Sequence, residues 1–152
     1  MPVHRLQYSQ VLPASMDQSW NFFSSPENLC RITPDWLCFD IKNKDAQAMY
    51  PGLIIQYTIK AVGGIPMNWT TEITHVDKPH FFVDEQRVGP YRFWHHQHLF
   101  KETSSGIEVT DIVHYSLYMG LLTEPINWFM VRPRLEEIFT YRKQALNKIF
   151  PG

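Results

Sequence analysis

Apolar and polar residues alternate from residue 3 to residue 12. In "VHRLQYSQVL", Leu6, Tyr8 and Leu12 share one side, the two-residue period of a strand. The period then changes. Ser15 and Gln18 have the spacing of a capping box, ahead of a helix that carries Trp20, Phe22 and Phe23. Ser25-Pro26 restarts the chain as a second short helix, with Ser25 as cap and Pro26 at the first helical position, where a missing N–H costs nothing. Pro34 ends it.

From about 36 to 118 the pattern is strand throughout. Phe39 and Ile41 suggest one strand. Leu53, Ile55, Tyr57 and Ile59 make one face of the next, and Gly63-Gly64 marks a turn. Met67, Trp69, Thr71 and Ile73 then share a face, with Glu72 on the other. "FFVDEQRV" follows Lys78-Pro79, "YRFWHHQHLFKE" follows Gly89-Pro90, and "IEVTDIVHYSLY" follows Ser104-Ser105-Gly106. Strands joined by such short turns are antiparallel neighbours. The tail returns to helical spacing: Leu135, Ile138, Phe139, Arg142, Leu146 and Ile149 form a stripe. Thr123 and Pro125 look like its start. Pro133 disfavours α geometry at Arg132, so a kink or break is expected there. This order predicts an α+β fold. A curved antiparallel sheet wraps one long C-terminal helix, and two short helices after the first strand plug an end.

Length and composition narrow the function. A chain of 152 residues suits a single domain, spanning 1–152. It is 44% hydrophobic and 14% aromatic, so the interior is rich in rings. A formal net charge of -1 gives no electrostatic footprint for nucleic acid, and no apolar run reaches the length of a membrane span. "MPVHRLQYSQ" lacks the features of a signal peptide, and Cys30 and Cys38 lack a CxxC spacing; both point to a cytoplasmic protein with reduced thiols. No phosphate-cradling loop, Ser/His/Asp order, zinc cysteine cluster or nucleotide fold is written here. No cofactor or resident metal is expected, and the oligomeric state is left open.

Several strings resemble the START-like superfamily, also called SRPBCC or helix-grip, which includes polyketide cyclase/dehydrase-like proteins, lipid-transfer proteins and the birch-pollen allergen. "ASMDQSWNFFSSPENLCRITP" looks like its opening. "DEQRVGPYRFWHHQHLF", "VTDIVHYSL" and "IFTYRKQAL" look like a bacterial ligand-binding branch. The resemblance covers essentially the whole chain. It implies a helix-grip fold with a cavity for a small hydrophobic molecule, and is weak for chemistry because this fold hosts carriers, sensors and enzymes alike.

Three of the seven histidines lie within four positions, at His95, His96 and His98. On a strand, alternate residues face opposite sides, and we assign Trp94, His96, His98 and Phe100 to the concave face, leaving His95 outside. On the strand before, Phe82, Asp84 and Gln86 point in; on the strand after, Val109, Asp111, Val113 and Tyr115 do. A turn at Gly89 puts Asp84 opposite His96 and Phe82 opposite His98, and a short turn after Thr103 puts Asp111 opposite His98. The expected pairs are therefore Asp84 with His96 and Asp111 with His98.

Such a cluster has three readings. Its members satisfy one another and organise the wall. Or they form the polar end of an apolar pocket. Or they act: a histidine held by a carboxylate is a general base, suited to a cyclase- or dehydratase-type reaction, and His96-x-His98 with a carboxylate is the spacing of a metal site. The candidate ligand-binding residues are Tyr57, Trp69, Thr71, Phe82, Asp84, Gln86, Trp94, His96, His98, Asp111, Tyr115, Phe139 and Arg142, with His96, His98, Asp84 and Asp111 the catalytic candidates. Arg142 interrupts the apolar stripe and either meets one of the inward acids or a ligand carboxylate, or keeps its head in water. The function expected is binding or carriage of a small hydrophobic ligand; the alternatives are an enzyme and a protein-interaction module whose interior is filled.

Overall fold

Seven strands form one antiparallel sheet in the order β1-β7-β6-β5-β4-β3-β2. The computed structural model describes residues 1–37, 40–43, 48–60 and 64–152. The strands are β1 His4–Leu12, β2 Asp40–Ile41, β3 Ile54–Lys60, β4 Pro66–Asp77, β5 Phe81–Val88, β6 Phe93–Thr103 and β7 Gly106–Ser116. β2 to β7 are a meander. β1 closes the far edge, running beside β7 from His4 opposite Tyr115 to Leu12 opposite Ile107. The proposed strand position of Phe39, the Cys38 thiol and the start of the turn at 61–63 lie outside the described residues.

The two-residue period buries the faces it should. Leu6 and Leu12 on β1, Ile55, Tyr57 and Ile59 on β3, and Val109, Val113 and Tyr115 on β7 are all buried. β4 departs from a single period. Its register shifts between Thr70 and Thr71 and again between Ile73 and His75. An extra residue inverts the parity beyond it, so Val76 rather than His75 joins the core.

Two helices follow β1: α1, Met16–Phe23, and α2, Pro26–Arg31. The capping box of α1 is complete. Gln18 N–H donates to the Ser15 hydroxyl (3.2 Å), and Ser15 N–H donates to the Gln18 side-chain oxygen (2.9 Å). Ser25 occupies the N-cap of α2 without capping by its side chain; its hydroxyl donates instead to the Glu27 carboxylate (2.7 Å).

The C-terminal helix does not break at Pro133. A 3-10 turn (Gly120–Thr123) leads into a short α3 (Glu124–Ile126), a π-helical turn over Asn127–Val131, and then α4, Arg132–Ile149. Arg132 is α-helical, with φ -59 and ψ -47, against the expectation from the proline after it. The physical reason is the wide turn. Pro133 has no N–H for the Phe129 carbonyl, and just before it Arg132 N–H bonds back five residues to Asn127, so the irregular bonding is taken up in a π turn and the chain stays helical through Pro133. Leu135, Phe139, Arg142 and Leu146 of α4 are buried against the concave face.

The buried apolar residues fall into three clusters. One gathers Trp20, Phe22, Phe82 and Phe100 with Leu146. A second gathers Leu6, Trp94, Val113 and Tyr115 with Leu135 and Phe139. The third is Ile41, Leu53, Ile55, Tyr57, Ile59 and Ile73.

Candidate functional site

A cavity of about 370 Å³ lies between the sheet, α2 and α4. Its wall is mostly aliphatic and aromatic: Ile55, Ile59 and Ile73 from the sheet, Trp69, Tyr91 and Trp94 at one side, and Leu135, Ile138 and Phe139 from α4. Asp84, His96, His98 and Arg142 meet the cavity together and form its ionisable end.

The strand register follows from the hairpins. Asp84 is opposite His96, Phe82 opposite His98, and His98 opposite Asp111. The hydrogen bonds, however, cross this register. His96 Nε2 bonds Asp111 Oδ1 at 2.8 Å, and His98 Nε2 bonds Asp84 Oδ2 at 2.6 Å. The pairs expected from register are the looser ones: His96 Nδ1 to Asp84 Oδ2 is 3.6 Å, and His98 Nδ1 to Asp111 Oδ1 is 3.1 Å without hydrogen-bond alignment, leaving that nitrogen unpartnered. The two imidazoles lie against one another with centroids 3.8 Å apart and planes 33° apart. Each ring thus turns one nitrogen to each carboxylate. Phe82 stacks on His98 from the other side, at 4.1 Å.

Arg142 completes the group from α4. Its Nη1 donates to Asp111 Oδ1 at 2.7 Å, and both residues are buried. Of the fates open to this arginine, the inward acid is the one realised. Burial alone would raise the Asp111 carboxyl, but Arg142 and both imidazoles hold it well below the ordinary value. Asp84 is lowered as well: burial opposes this, while His96 and the His98 hydrogen bond drive it. Burial and the neighbouring His98 lower His96. Burial opposes a charge on His98, but the two neighbouring carboxylates, Asp111 and the hydrogen-bonded Asp84, outweigh it and raise His98. The two shifts run in opposite directions and favour a proton on His98 over one on His96.

Ten of the thirteen candidate residues line the cavity: Tyr57, Trp69, Thr71, Phe82, Asp84, Trp94, His96, His98, Phe139 and Arg142. Three do not. Gln86 lies partly buried at the end of β5, where its amide clasps the Tyr91 backbone through bonds of 2.6 and 3.1 Å. Tyr115 is fully buried, and its hydroxyl donates to Asn127 Oδ1 at 2.8 Å, which fastens the π turn to β7. Burial pushes that hydroxyl up to about 12. Asp111 stands behind the imidazoles and borders instead a second, outer cleft with Tyr8, Gln10 and Lys143. His95 is on the outer face as expected, but it has a partner there, Glu85, at 2.7 Å.

Several lining residues were not singled out from sequence: Tyr91, Leu117, Val131, Leu135 and Ile138. Leu135 and Ile138 were in the α4 stripe, one turn from Phe139, and that spacing was the available signal. Tyr91 follows a Gly-Pro turn, where no periodicity operates.

No family model matches the chain, and no curated protein sequence matches it. Solved structures do. The fold is similar to that of protein Ms6760 from Mycobacterium smegmatis, with TM-score 0.68 and 18% identity, over 98% of this chain and 96% of that one. It is similar to protein CV1439 from Chromobacterium violaceum, with TM-score 0.72 and 12% identity, over 97% and 98%. It is also similar to ginseng major latex-like protein 151 from Panax ginseng, with TM-score 0.69 and 12% identity, over 99% of both chains. This is a helix-grip fold. In it the gripped helix is α4, and the cavity lies where the helix-grip sheet curves away from that helix. No helix among the described residues is long and apolar enough to cross a membrane.

Proposed function

We propose that this helix-grip protein binds or carries a small, mostly hydrophobic molecule in the cavity, in the cytoplasm. The observation that carries the reading is the cavity itself. Its volume of about 370 Å³ falls within the range of small-molecule pockets, and its mostly apolar wall gathers Asp84, His96, His98 and Arg142 into one cluster, with Arg134, paired with Glu137, as a further charged lining residue. A core meant only to be filled would have closed on itself, which weighs against the interaction-module reading. At that end Asp84 accepts hydrogen bonds and the Arg142 guanidinium donates them, so a hydroxyl, which does both, suits the polar tip of the ligand. The test is native mass spectrometry of freshly purified protein, then organic extraction of whatever it releases. A stoichiometric small-molecule adduct is expected. A protein that arrives bare and also fails to bind an apolar fluorescent probe sinks the proposal.

A second reading has its own observation. His96 touches both a carboxylate and the cavity, and it is held neutral. Such an imidazole can take a proton from carbon beside a carbonyl, with His98 as the matching acid, in a cyclase- or dehydratase-type reaction. Solvent deuterium incorporated into a bound ketone, and lost in His96→Gln while binding persists, is the expected result. Equal incorporation in both proteins removes this reading.

A further inference from the structure

We infer that Asp84, His96 and His98 form a binding site for one divalent transition-metal ion, open to the cavity. The inference goes beyond ligand binding and does not require it. It starts from convergence. His96 and His98 are two apart on β6, so both project to the concave face. Asp84 meets them from β5. One ligand atom from each of the three lies within 4.8 Å of the others. The atoms facing Asp84 are His96 Nδ1, at 3.6 Å, and His98 Nε2, at 2.6 Å. Bonds of about 2.0–2.1 Å at angles of 90–110° place neighbouring donors about 3.0–3.4 Å apart. One of these separations must open and the other close by a few tenths of an ångström, which side-chain rotation supplies.

The opposite edges of the same rings carry the second argument. A ligating imidazole ordinarily gives its other nitrogen to a carboxylate, which fixes its tautomer and aim. Here Asp111 holds His96 Nε2 at 2.8 Å, stands 3.1 Å from His98 Nδ1, and is itself held by Arg142 at 2.7 Å. That supporting layer is in place on the side away from the cavity. Thirdly, His96 Nδ1 faces the Asp84 carboxylate oxygen across 3.6 Å, beyond hydrogen-bond distance. A cation between the two resolves this opposition.

Charge and donor type indicate the ion and what completes it. Two nitrogens and one carboxylate, with positions left open, suit Zn²⁺, Co²⁺ or Fe²⁺. The two carboxylates and Arg142 sum to one negative charge, so a divalent ion held by neutral imidazoles leaves one positive charge. An anionic oxygen from the cavity side, a hydroxide or a deprotonated ligand hydroxyl, then completes the site.

The experiment is titration of chelator-treated protein with Co²⁺, read by visible absorption, with Zn²⁺ as competitor. We expect one equivalent to give a d–d band that Zn²⁺ removes. Asp84→Asn and His96→Gln should abolish it, while His95→Gln and His114→Gln, on the outer face, keep it. Asp111→Asn should retain the band but weaken affinity about 10–100-fold, as loss of a supporting carboxylate does. Circular dichroism and binding of an apolar fluorescent probe accompany each variant. Should His96→Gln fail to fold, the near-isosteric Asp84→Asn decides alone. Absence of a band in the wild type, or a band that survives Asp84→Asn, overturns the metal site. Probe binding in that same sample leaves the ligand cavity standing on its own.

Discussion

Asp111 is the residue on which the cluster turns. Its Oδ1 receives Arg142 Nη1 and His96 Nε2, so one oxygen ties α4 to β6. Replacing it by Asn leaves a buried guanidinium without its charge partner, at a cost of about 3–5 kcal/mol in urea unfolding; the double variant Asp111→Leu/Arg142→Met should regain most of that loss. The imidazoles make a pH prediction of definite sign. A raised histidine such as His98 contributes stability fully below 6.5, and loses it as pH climbs through its raised folded value. A lowered one such as His96 acts oppositely, losing stability as pH falls through 6.5. Acting on opposite sides of 6.5, the two together place a stability maximum near that pH. In His96→Gln only the His98 part survives, so the urea midpoint should fall as pH rises above 6.5; a flat midpoint up to about pH 8.5 refutes the assignment of the proton to His98. At this scale the sequence carried the register of Asp84, His96, His98 and Asp111 but not the crossed hydrogen bonds. Register follows from strand period and turn length, whereas the crossing depends on how each ring rotates about its own side-chain bonds.

At the scale of elements, what could be read ahead was whatever local chemistry decides: the capping box at Ser15, the period of β3 and β7, the stripe on α4. What could not be read were the places where neighbours decide. The β4 bulges answer to β5, and the π turn before Pro133 is fastened from β7 through Tyr115 and Asn127. Gly106 is of the second kind. It begins β7 with φ +135, and a Cβ there would strike the backbone carbonyl of Leu12 at the end of β1. The β6–β7 hairpin and the β1 edge therefore meet at a point only glycine fits. Gly106→Ala should cost about 1–3 kcal/mol from backbone strain alone, with the collision adding to it, and thermal melts read this directly. Ser105→Ala, one residue away, is the control that should leave the melt unchanged.

For the whole molecule, the cavity is a property of what is missing, and no residue type announces it. Each lining side chain, Ile55 or Trp94 alike, looks like ordinary core when taken singly. Only the curvature that separates the β3 cluster from the α4 cluster leaves a space between them. That space is testable without knowing its natural occupant. Met67 lines it and is not fully buried, so Met67→Trp can extend into it without displacing a closed core. If the cavity is a binding site, an apolar probe that quenches Trp69 and Trp94 should bind the wild type and lose at least about tenfold affinity in Met67→Trp, or about 1.4 kcal/mol. The same occupancy should appear as stability. A ligand at a hundred times its Kd adds about 2.7 kcal/mol, which for a chain of this size raises the melting midpoint by about 5–10 °C. The filled variant should start nearer that raised midpoint and respond little to the probe, because the side chain already occupies the ligand's place. A variant that melts like the wild type and responds to the probe as fully would mean that the probe binds elsewhere, and the cavity would lose its claim to be the site.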